Sequence, residues 1–202
     1  MALVRILAVV VMVLLIPSAG RAMTGPEAFI LSLADRALAL VTDNGQSMAE
    51  KRARFDELLG DTFDMEGIGR FLLGRYWRTT PPEVQQEYLK AFTENIVYTY
   101  TARFDEYSGQ KLKIDGSRED GSFTIVNSRI VDPKGSPDVR VEWRLIRMGD
   151  SFRVADVVIE GVSMSVTQRQ EYASLIQSNG GDVKALIKAL NTQMTRLKAS
   201  DS

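Results

Sequence analysis

The feature that most constrains this chain is a pair of strand-like runs separated by only two residues. Val139–Met148 and Ser151–Ile159 both alternate along the strand period, and Gly149-Asp150 lies between them. Glycine in the first position of a two-residue loop readily adopts the positive φ angle that a tight hairpin turn requires. The sequence therefore predicts a β-hairpin, and the apolar face of such a hairpin must be covered by another part of the chain.

The turn also predicts how the two strands pair. With Met148 opposite Ser151, the further pairs along the ladder are Leu145 with Val154, Trp143 with Asp156, and Val141 with Val158. On this register Val141, Trp143 and Val158 share one sheet face, which we interpret as the apolar one. The opposite face mixes arginines with apolar residues, so we expect one buried and one partly solvated face.

The first 22 residues have the form of a cleavable export signal. Arg5 precedes an apolar run at residues 6–16, and Gly20-Arg21-Ala22 places small residues at the −3 and −1 positions of a cleavage site. The run of eleven residues is too short for a membrane span, which takes about 20. An uncleaved anchor is the alternative. We expect a periplasmic mature chain, residues 23–202, forming a single domain or two tightly packed subdomains.

Helix signals dominate the first half of the mature chain. Pro26 starts an apolar stripe at helical spacing, and Ser47 with Glu50 forms a capping box. Thr80-Pro81-Pro82-Glu83 starts a helix that reaches about Tyr107 without Gly or Pro, with Thr80 as the cap. An aromatic stripe along this long helix is typical of a core, and a ligand surface is the alternative.

Strand patterns at residues 111–115 and 122–131 precede the hairpin, which gives four consecutive strands. After the hairpin, Ser165 and Gln168 form a second capping-box pattern, and a last helix begins at Asp182. The order of elements predicts an α+β fold. A twisted antiparallel sheet of about four strands is covered on its apolar face by helices from both ends of the chain.

The residue types limit the chemistry of the chain. It contains no Cys and no His, which excludes disulfides, thiolate or imidazole catalysis and the usual zinc sites. Asp156 and Glu160 would lie about 13 Å apart along a strand, beyond the spacing of a glycosidase carboxylate pair. We expect Asp156 to bind an arginine or the Trp143 indole instead. No catalytic constellation and no metal site is predicted.

Charge gives little indication of a partner. Without Arg5 and Arg21 the chain has 23 basic and 26 acidic residues, a formal charge of −3 in place of −1. This balance does not favour nucleic acid as a partner. Arg70, Arg75 and Arg78 surround Tyr76-Trp77 and could contact an anionic head group or a partner, although helix-end caps and surface pairs explain them equally well.

Four segments carry a resemblance to a known family: FLLGRYWR at residues 71–78, TPPE at 80–83, VVIEGVSM at 157–164 and QRQEY at 168–172. They resemble the MlaC family of periplasmic lipid carriers, also called toluene-tolerance or ABC-transporter auxiliary proteins. The resemblance covers about residues 28–190. It includes a hopanoid-associated branch of the family that shares the same segments.

The resemblance implies an NTF2-like portion and an apolar cavity between sheet and helices, holding the acyl chains of a phospholipid as cargo and no catalytic cofactor. It also implies two membrane partners. One is an outer-membrane lipoprotein complex, and the other is an inner-membrane ABC transporter with an MCE-domain protein. The chain would shuttle lipid between them and would not be an enzyme.

On this resemblance, eight residues are candidates for the lipid-binding cavity, with ordinary core packing as the alternative for each. They are Phe92, Ile96 and Tyr100 on the long helix, Val141, Trp143 and Val158 on the sheet, and Val162 and Met164 where the chain leaves it. Two other functions stay open. An NTF2-like enzyme would need a polar constellation inside the cavity, and a protein-binding adaptor would have a filled core and carry no lipid.

Overall fold

The computed structural model describes residues 25–200, so the predicted export signal lies outside the described residues. Six α-helices within this range are Pro26–Thr42 (α1), Met48–Thr62 (α2), Met65–Leu73 (α3), Pro82–Thr101 (α4), Met164–Ser178 (α5) and Val183–Ser200 (α6). Five strands are Lys111–Asp120 (β1), Phe123–Val131 (β2), Val139–Met148 (β3), Ser151–Ile159 (β4) and Val162–Ser163 (β5). Short 3₁₀ helices occupy Gly74–Thr79 and Phe104–Glu106.

The strands form one antiparallel sheet in chain order, which confirms the predicted α+β class and the meander. β1 is longer than predicted because Gly116 lies inside the strand, at a register shift, instead of opening the turn. Its φ of 136° is a conformation that glycine adopts without strain. β5 was not predicted, since two residues are too few to show a period.

The predicted hairpin is confirmed in its bounds and in the half nearest the turn. Met148 pairs with Ser151 and Leu145 pairs with Val154. Beyond that point the predicted register is wrong, because β4 contains a β-bulge in which Ala155 has no partner on β3. The next pair along the ladder is Arg144 with Asp156.

The bulge changes which side chains share a sheet face. Trp143 pairs with Val157 and not with Asp156, and Val141 pairs with Ile159 and not with Val158. Directly opposed residues of two antiparallel strands point to the same side of the sheet. Val158 therefore lies with its partner Glu142 on the face opposite to Trp143, contrary to prediction.

The Asp156 carboxylate links the sheet to α5. It lies 3.3 Å from Arg144 Nη1, accepts a hydrogen bond of 2.6 Å from Ser163 Oγ, and accepts another of 3.0 Å from the Ser165 backbone N–H. The predicted arginine partner is thus present. The residue that caps α5 is Ser163 and not the predicted Ser165, because Ser163 Oγ accepts the hydrogen bond from the Val166 N–H at 3.1 Å.

The capping residues predicted for α2 are confirmed, whereas the cap and the end predicted for α4 are wrong. The Ser47 and Glu50 capping box of α2 is confirmed, with Ser47 N–H donating to Glu50 Oε2 at 2.8 Å. Thr80 does not cap α4, since its hydroxyl donates to the Tyr76 carbonyl at 2.7 Å. α4 ends at Thr101 rather than near Tyr107, because the chain turns into the following 3₁₀ helix.

Two clusters of buried apolar side chains stabilise the fold. The sheet core joins α1, α2 and the strands, and its buried members are Ile30, Leu33, Leu40, Leu58, Val126, Leu145, Phe152 and Val154. The helical core joins α3, α4, α5 and α6, and its most buried members include Leu72, Leu73, Tyr88, Phe92, Ile176 and Leu186. A helix or sheet buries only one side well, so each cluster needs elements that are distant in sequence.

The Asp156 contacts generate a stability prediction. Its side chain is 7% exposed and Arg144 is 38% exposed, so Asp156→Ala removes a buried carboxylate with three partners. We expect a loss of about 2–4 kcal/mol in the free energy of unfolding, measured by urea titration.

Glu160→Ala is the matched control, because it removes a 45% exposed carboxylate that binds the backbone N–H and the 75% exposed side chain of Arg140. Exposed ion pairs contribute little to stability. We expect the control to lose much less than Asp156→Ala, and equal losses from the two variants would contradict the role assigned to Asp156.

Candidate functional site

A cavity of about 570 Å³ lies where the sheet core and the helical core meet. Its sheet wall consists of Trp143, Ala155, Asp156, Val157 and Ile159. Its helical walls include Leu33, Ala37, Phe55 and Leu58 from α1 and α2, and Met65, Ile68, Leu72, Phe92, Ile96, Met164, Tyr172 and Leu190 from α3 to α6. Because both clusters contribute residues, the cavity is a gap between two packed cores and not a defect within one of them.

The bulge shapes the sheet wall of this cavity. It brings Val157 to the face of Trp143, where both pack against the sheet core, and it places the small side chain of Ala155 in the lining. The indole N–H of Trp143 donates to Ser128 Oγ at 2.9 Å, which fixes the ring against the sheet. The sheet thus presents an apolar surface with its polar indole nitrogen already satisfied.

The polar lining residues carry little free charge into the interior. Asp156 is bound to Arg144, Ser163 and Ser165, so its oxygens are already committed. Burial raises the pKa of the Tyr172 phenol, and the nearby Glu171 raises it further, so this hydroxyl stays neutral. Asn95 Nδ2 donates to the Leu190 carbonyl at 3.3 Å. Apolar contacts therefore dominate the recognition that this cavity can provide.

One hydroxyl in the lining is different. Thr99 Oγ1 is buried and has no hydrogen-bond partner among the described residues. A buried hydroxyl without a partner costs free energy, which a ligand with a hydrogen-bonding oxygen would recover. Thr99 is thus a candidate polar contact inside an otherwise apolar space.

The cavity reaches solvent where its lining residues are exposed. Tyr100 is 55% exposed, and Ile159, Glu171 and Gln193 are also exposed. Gln168 donates to Glu171 Oε2 at 3.0 Å, so part of this rim is polar. The site therefore combines an apolar interior with a rim that accommodates polar groups.

Five of the eight candidate residues line the cavity, namely Phe92, Ile96, Tyr100, Trp143 and Met164. Phe92 and Ile96 lie on the inner side of α4, Tyr100 near its end, and Met164 is the first residue of α5. Their position agrees with the expected cavity between sheet and helices. Their contact with a lipid stays a prediction.

The other three candidates lie outside the lining. Val141 is buried farther along the sheet, with Ser128 and Ile159 as its neighbours on the two adjacent strands. Val158 is turned away by the bulge, and Val162 is 52% exposed on the edge strand β5. Val158 lies outside the lining because the predicted strand register is wrong at that position. Val162 lies outside it because β5 is at the sheet edge and covers no core.

The described residues contain no group of three or more acidic side chains placed to hold a metal ion. No helix between residues 25 and 200 has the length and hydropathy of a membrane span.

The family model described as "MlaC protein" matches residues 32–192, well over half of the chain. The chain belongs to the MlaC family. The match extends over nearly the same residues as the resemblance read from the four sequence segments, and that prediction is confirmed.

Relatives in curated sequences agree with this MlaC assignment. The chain is 23% identical to the toluene tolerance protein ttg2D of Pseudomonas putida over 145 residues, covering 71% of this chain and 67% of that one. It is 28% identical to the intermembrane phospholipid transport system binding protein MlaC of Haemophilus influenzae over 123 residues. That match covers 59% of this chain and 58% of the relative, which is less than two thirds of its length.

Among solved structures, the fold is similar to that of a phospholipid-binding protein from Ralstonia solanacearum, determined in complex with a phospholipid. The TM-score is 0.76 at 21% identity, covering 87% of this chain and 99% of the other. At this identity the likeness establishes that the two chains share a fold.

None of the lining residues contributed by α1, α2 and α3 is among the eight candidates predicted from the sequence. Leu33, Phe55, Leu58, Ile68 and Leu72 belong to apolar helical stripes that are visible in the sequence. A stripe that lines a cavity has the same spacing as one that fills a core, so periodicity alone does not separate them. Predicting these residues as cavity lining would require knowledge of which helices face the sheet.

The two tryptophans provide a test of the cavity. Trp143 lines it and Trp77 does not, so a brominated fatty acid added to delipidated protein should quench Trp143 emission. The Trp77→Phe variant should keep the quenching and the Trp143→Phe variant should lose it. Equal quenching in both variants would show that the acid binds elsewhere.

Proposed function

We propose that this MlaC-family protein is a lipid carrier that holds the acyl chains of a phospholipid in the cavity between its two cores. The observation that carries the proposal is the cavity itself, an apolar space of about 570 Å³ in a small α+β protein. Its volume is in the range of small-molecule binding pockets. The relative from Ralstonia solanacearum, similar in fold, was solved with a phospholipid.

The energetics of such a site suit an acyl chain. Each methylene transferred from water to an apolar interior contributes about 0.8 kcal/mol, so a chain of many methylenes binds tightly with few polar contacts. The Thr99 hydroxyl is available to an ester oxygen near the buried end of the head-group region. The polar rim near Gln168 and Glu171 leaves the head group close to solvent.

The proposed role is transport and not catalysis. Asp156, the buried carboxylate in the lining, is hydrogen-bonded at both oxygens and serves to hold α5 on the sheet. Ser165, in the lining, reaches Asp156 through its backbone N–H, and the Ser163 hydroxyl that donates to Asp156 at 2.6 Å lies outside the lining, so the lining itself presents no paired nucleophile and base. A carrier needs neither group.

The place of action we propose is the periplasm, reached through a cleavable signal at residues 1–22, with residues 23–202 forming one lipid-binding domain. The curated relative from Haemophilus influenzae carries the name of an intermembrane phospholipid transport system. We infer a corresponding shuttle between an outer-membrane lipoprotein complex and an inner-membrane ABC transporter with an MCE-domain protein. A hopanoid is the alternative cargo.

Native mass spectrometry of the exported, purified protein, followed by lipid extraction, tests the carrier proposal. We expect a mass excess of one phospholipid on a chain that begins after Ala22. A hopanoid would replace the proposed cargo. A protein that stays lipid-free after incubation with phospholipid vesicles would overturn the carrier proposal in favour of a protein-binding adaptor.

A pair of tryptophan substitutions tests the cavity as the place of binding. Met164→Trp enlarges a residue of the lining, and displacing about two methylenes should weaken lipid binding roughly tenfold. Val162→Trp introduces the same side chain two residues away on the exposed edge strand and should leave lipid occupancy unchanged. Lipid per protein after extraction is the measurement. Equal occupancy in the two folded variants would remove Met164 from the binding site.

A further inference from the structure

A second concave site lies on the outer surface formed by α3, the 3₁₀ helix after it and α5. It is a groove of about 510 Å³ whose principal side chains are Arg70, Phe71, Arg75, Trp77, Arg78 and Arg169. Four guanidinium groups thus lie around one groove in a protein whose formal net charge is −1. We call this surface the arginine groove.

Aromatic rings hold three of these arginines. Arg169 stacks over Phe71 at 4.7 Å from the ring centroid, and Arg70 lies 6.0 Å from the centroid of Trp77. Arg75 lies 4.9 Å from the ring centroid of Tyr76 and donates to its hydroxyl at 2.9 Å. Stacked guanidinium groups lose less freedom on binding than freely moving ones. The charges of the groove are therefore partly pre-positioned.

The backbone is also adapted to one of these arginines. Gly74 has a φ of 54°, and a Cβ atom built on it would lie 2.8 Å from Nη2 of Arg169. The positive φ favours glycine, and the absence of a Cβ leaves room for the guanidinium group of Arg169 against the backbone. The 3₁₀ helix begins at the same residue and carries Arg75 and Arg78 to the groove.

The groove contains no acidic side chain, and none of its four arginines forms an ion pair within the part of the chain that the structure describes. Arginines elsewhere behave differently. Arg129 pairs with Asp115 and Asp138, and Arg140 pairs with Glu160. Among residues 25–200, no carboxylate therefore neutralises the charges of the arginine groove.

We propose that the arginine groove is a docking site for an acidic segment of a partner protein. The planar guanidinium fork matches a carboxylate with two parallel hydrogen bonds, and several forks in one groove match successive acidic side chains. The site is separate from the lipid cavity and does not depend on lipid carriage. α3 divides the two sites, with Ile68 and Leu72 on the cavity and Arg70 and Phe71 on the groove.

A peptide fits these observations better than a membrane surface. A guanidinium group covers a face of each aromatic ring of this surface, so insertion of a ring into a bilayer would displace its cation. An extended acidic segment can follow the groove from the arginines of α3 and the 3₁₀ helix to Arg169 on α5.

Fluorescence anisotropy with a fluorescein-labelled hexaglutamate peptide tests the proposal on the full mature protein. We expect wild-type binding that weakens with salt, as screened charges require. The Arg70→Gln/Arg169→Gln variant should bind at least about tenfold more weakly, because two charge-assisted contacts are lost. An Arg75→Gln/Arg78→Gln variant, altered on the 3₁₀ helix instead, should show the same loss.

The matched control is Arg54→Gln/Arg103→Gln, which removes the same charge from two exposed arginines outside the groove. It should retain the affinity of the wild type. Circular dichroism and lipid content should be unchanged in all variants, which separates a docking defect from misfolding or from failure of the carrier proposal.

Three results would overturn the docking site. The first is equal loss of affinity in the groove and control variants, which would indicate a general charge effect. The second is no binding of hexaglutamate by the wild type. The third is groove-dependent binding to phosphatidylglycerol vesicles without peptide binding, which would assign the arginines to a membrane surface.

Discussion

The Asp156 carboxylate is the interaction on which the arrangement of this protein most depends. It lies on the sheet, yet two of its partners, Ser163 and Ser165, are at the start of α5. The bulge at Ala155 places this carboxylate opposite Arg144 and turns Val157 to the face of Trp143. A single extra residue in β4 therefore fixes α5 to the sheet and at the same time completes the apolar wall of the cavity.

The cavity exists because the two cores are each well packed but do not close on one another. Leu145 and Val154 are fully buried in the sheet core, and Tyr88 and Ile176 are fully buried in the helical core. Protein interiors normally exclude voids larger than a water molecule, so a gap of this size has to be maintained by elements held in place elsewhere. Two such elements are held against β4. The Asp156 contacts hold α5, and the backbone N–H of Asp64, which caps α3, donates to the Val154 carbonyl at 3.0 Å.

Much of the fold is predictable from the sequence because its signals are local. The turn at Gly149-Asp150 and the capping box at Ser47 act over a few residues, and both appear as predicted. The bulge is not predictable, since Ala155 sits in an alternating run with no glycine or other mark. Ser163 and Ser165 both have the chemistry of a helix cap, and only the position of Asp156 decides between them. The candidate cavity residues divide in the same way. The position of Val158 depends on the strand register, and its predicted sheet face is wrong.

α3 contributes residues to both the cavity and the arginine groove. It contains nine residues, with Ile68 and Leu72 on the cavity and Arg70 and Phe71 on the groove. Because protein interiors are close-packed, a change in side-chain volume at Ile68 or Leu72 bears on the position of the whole helix. A substitution that reshapes the cavity wall therefore also acts on the arrangement of the arginines.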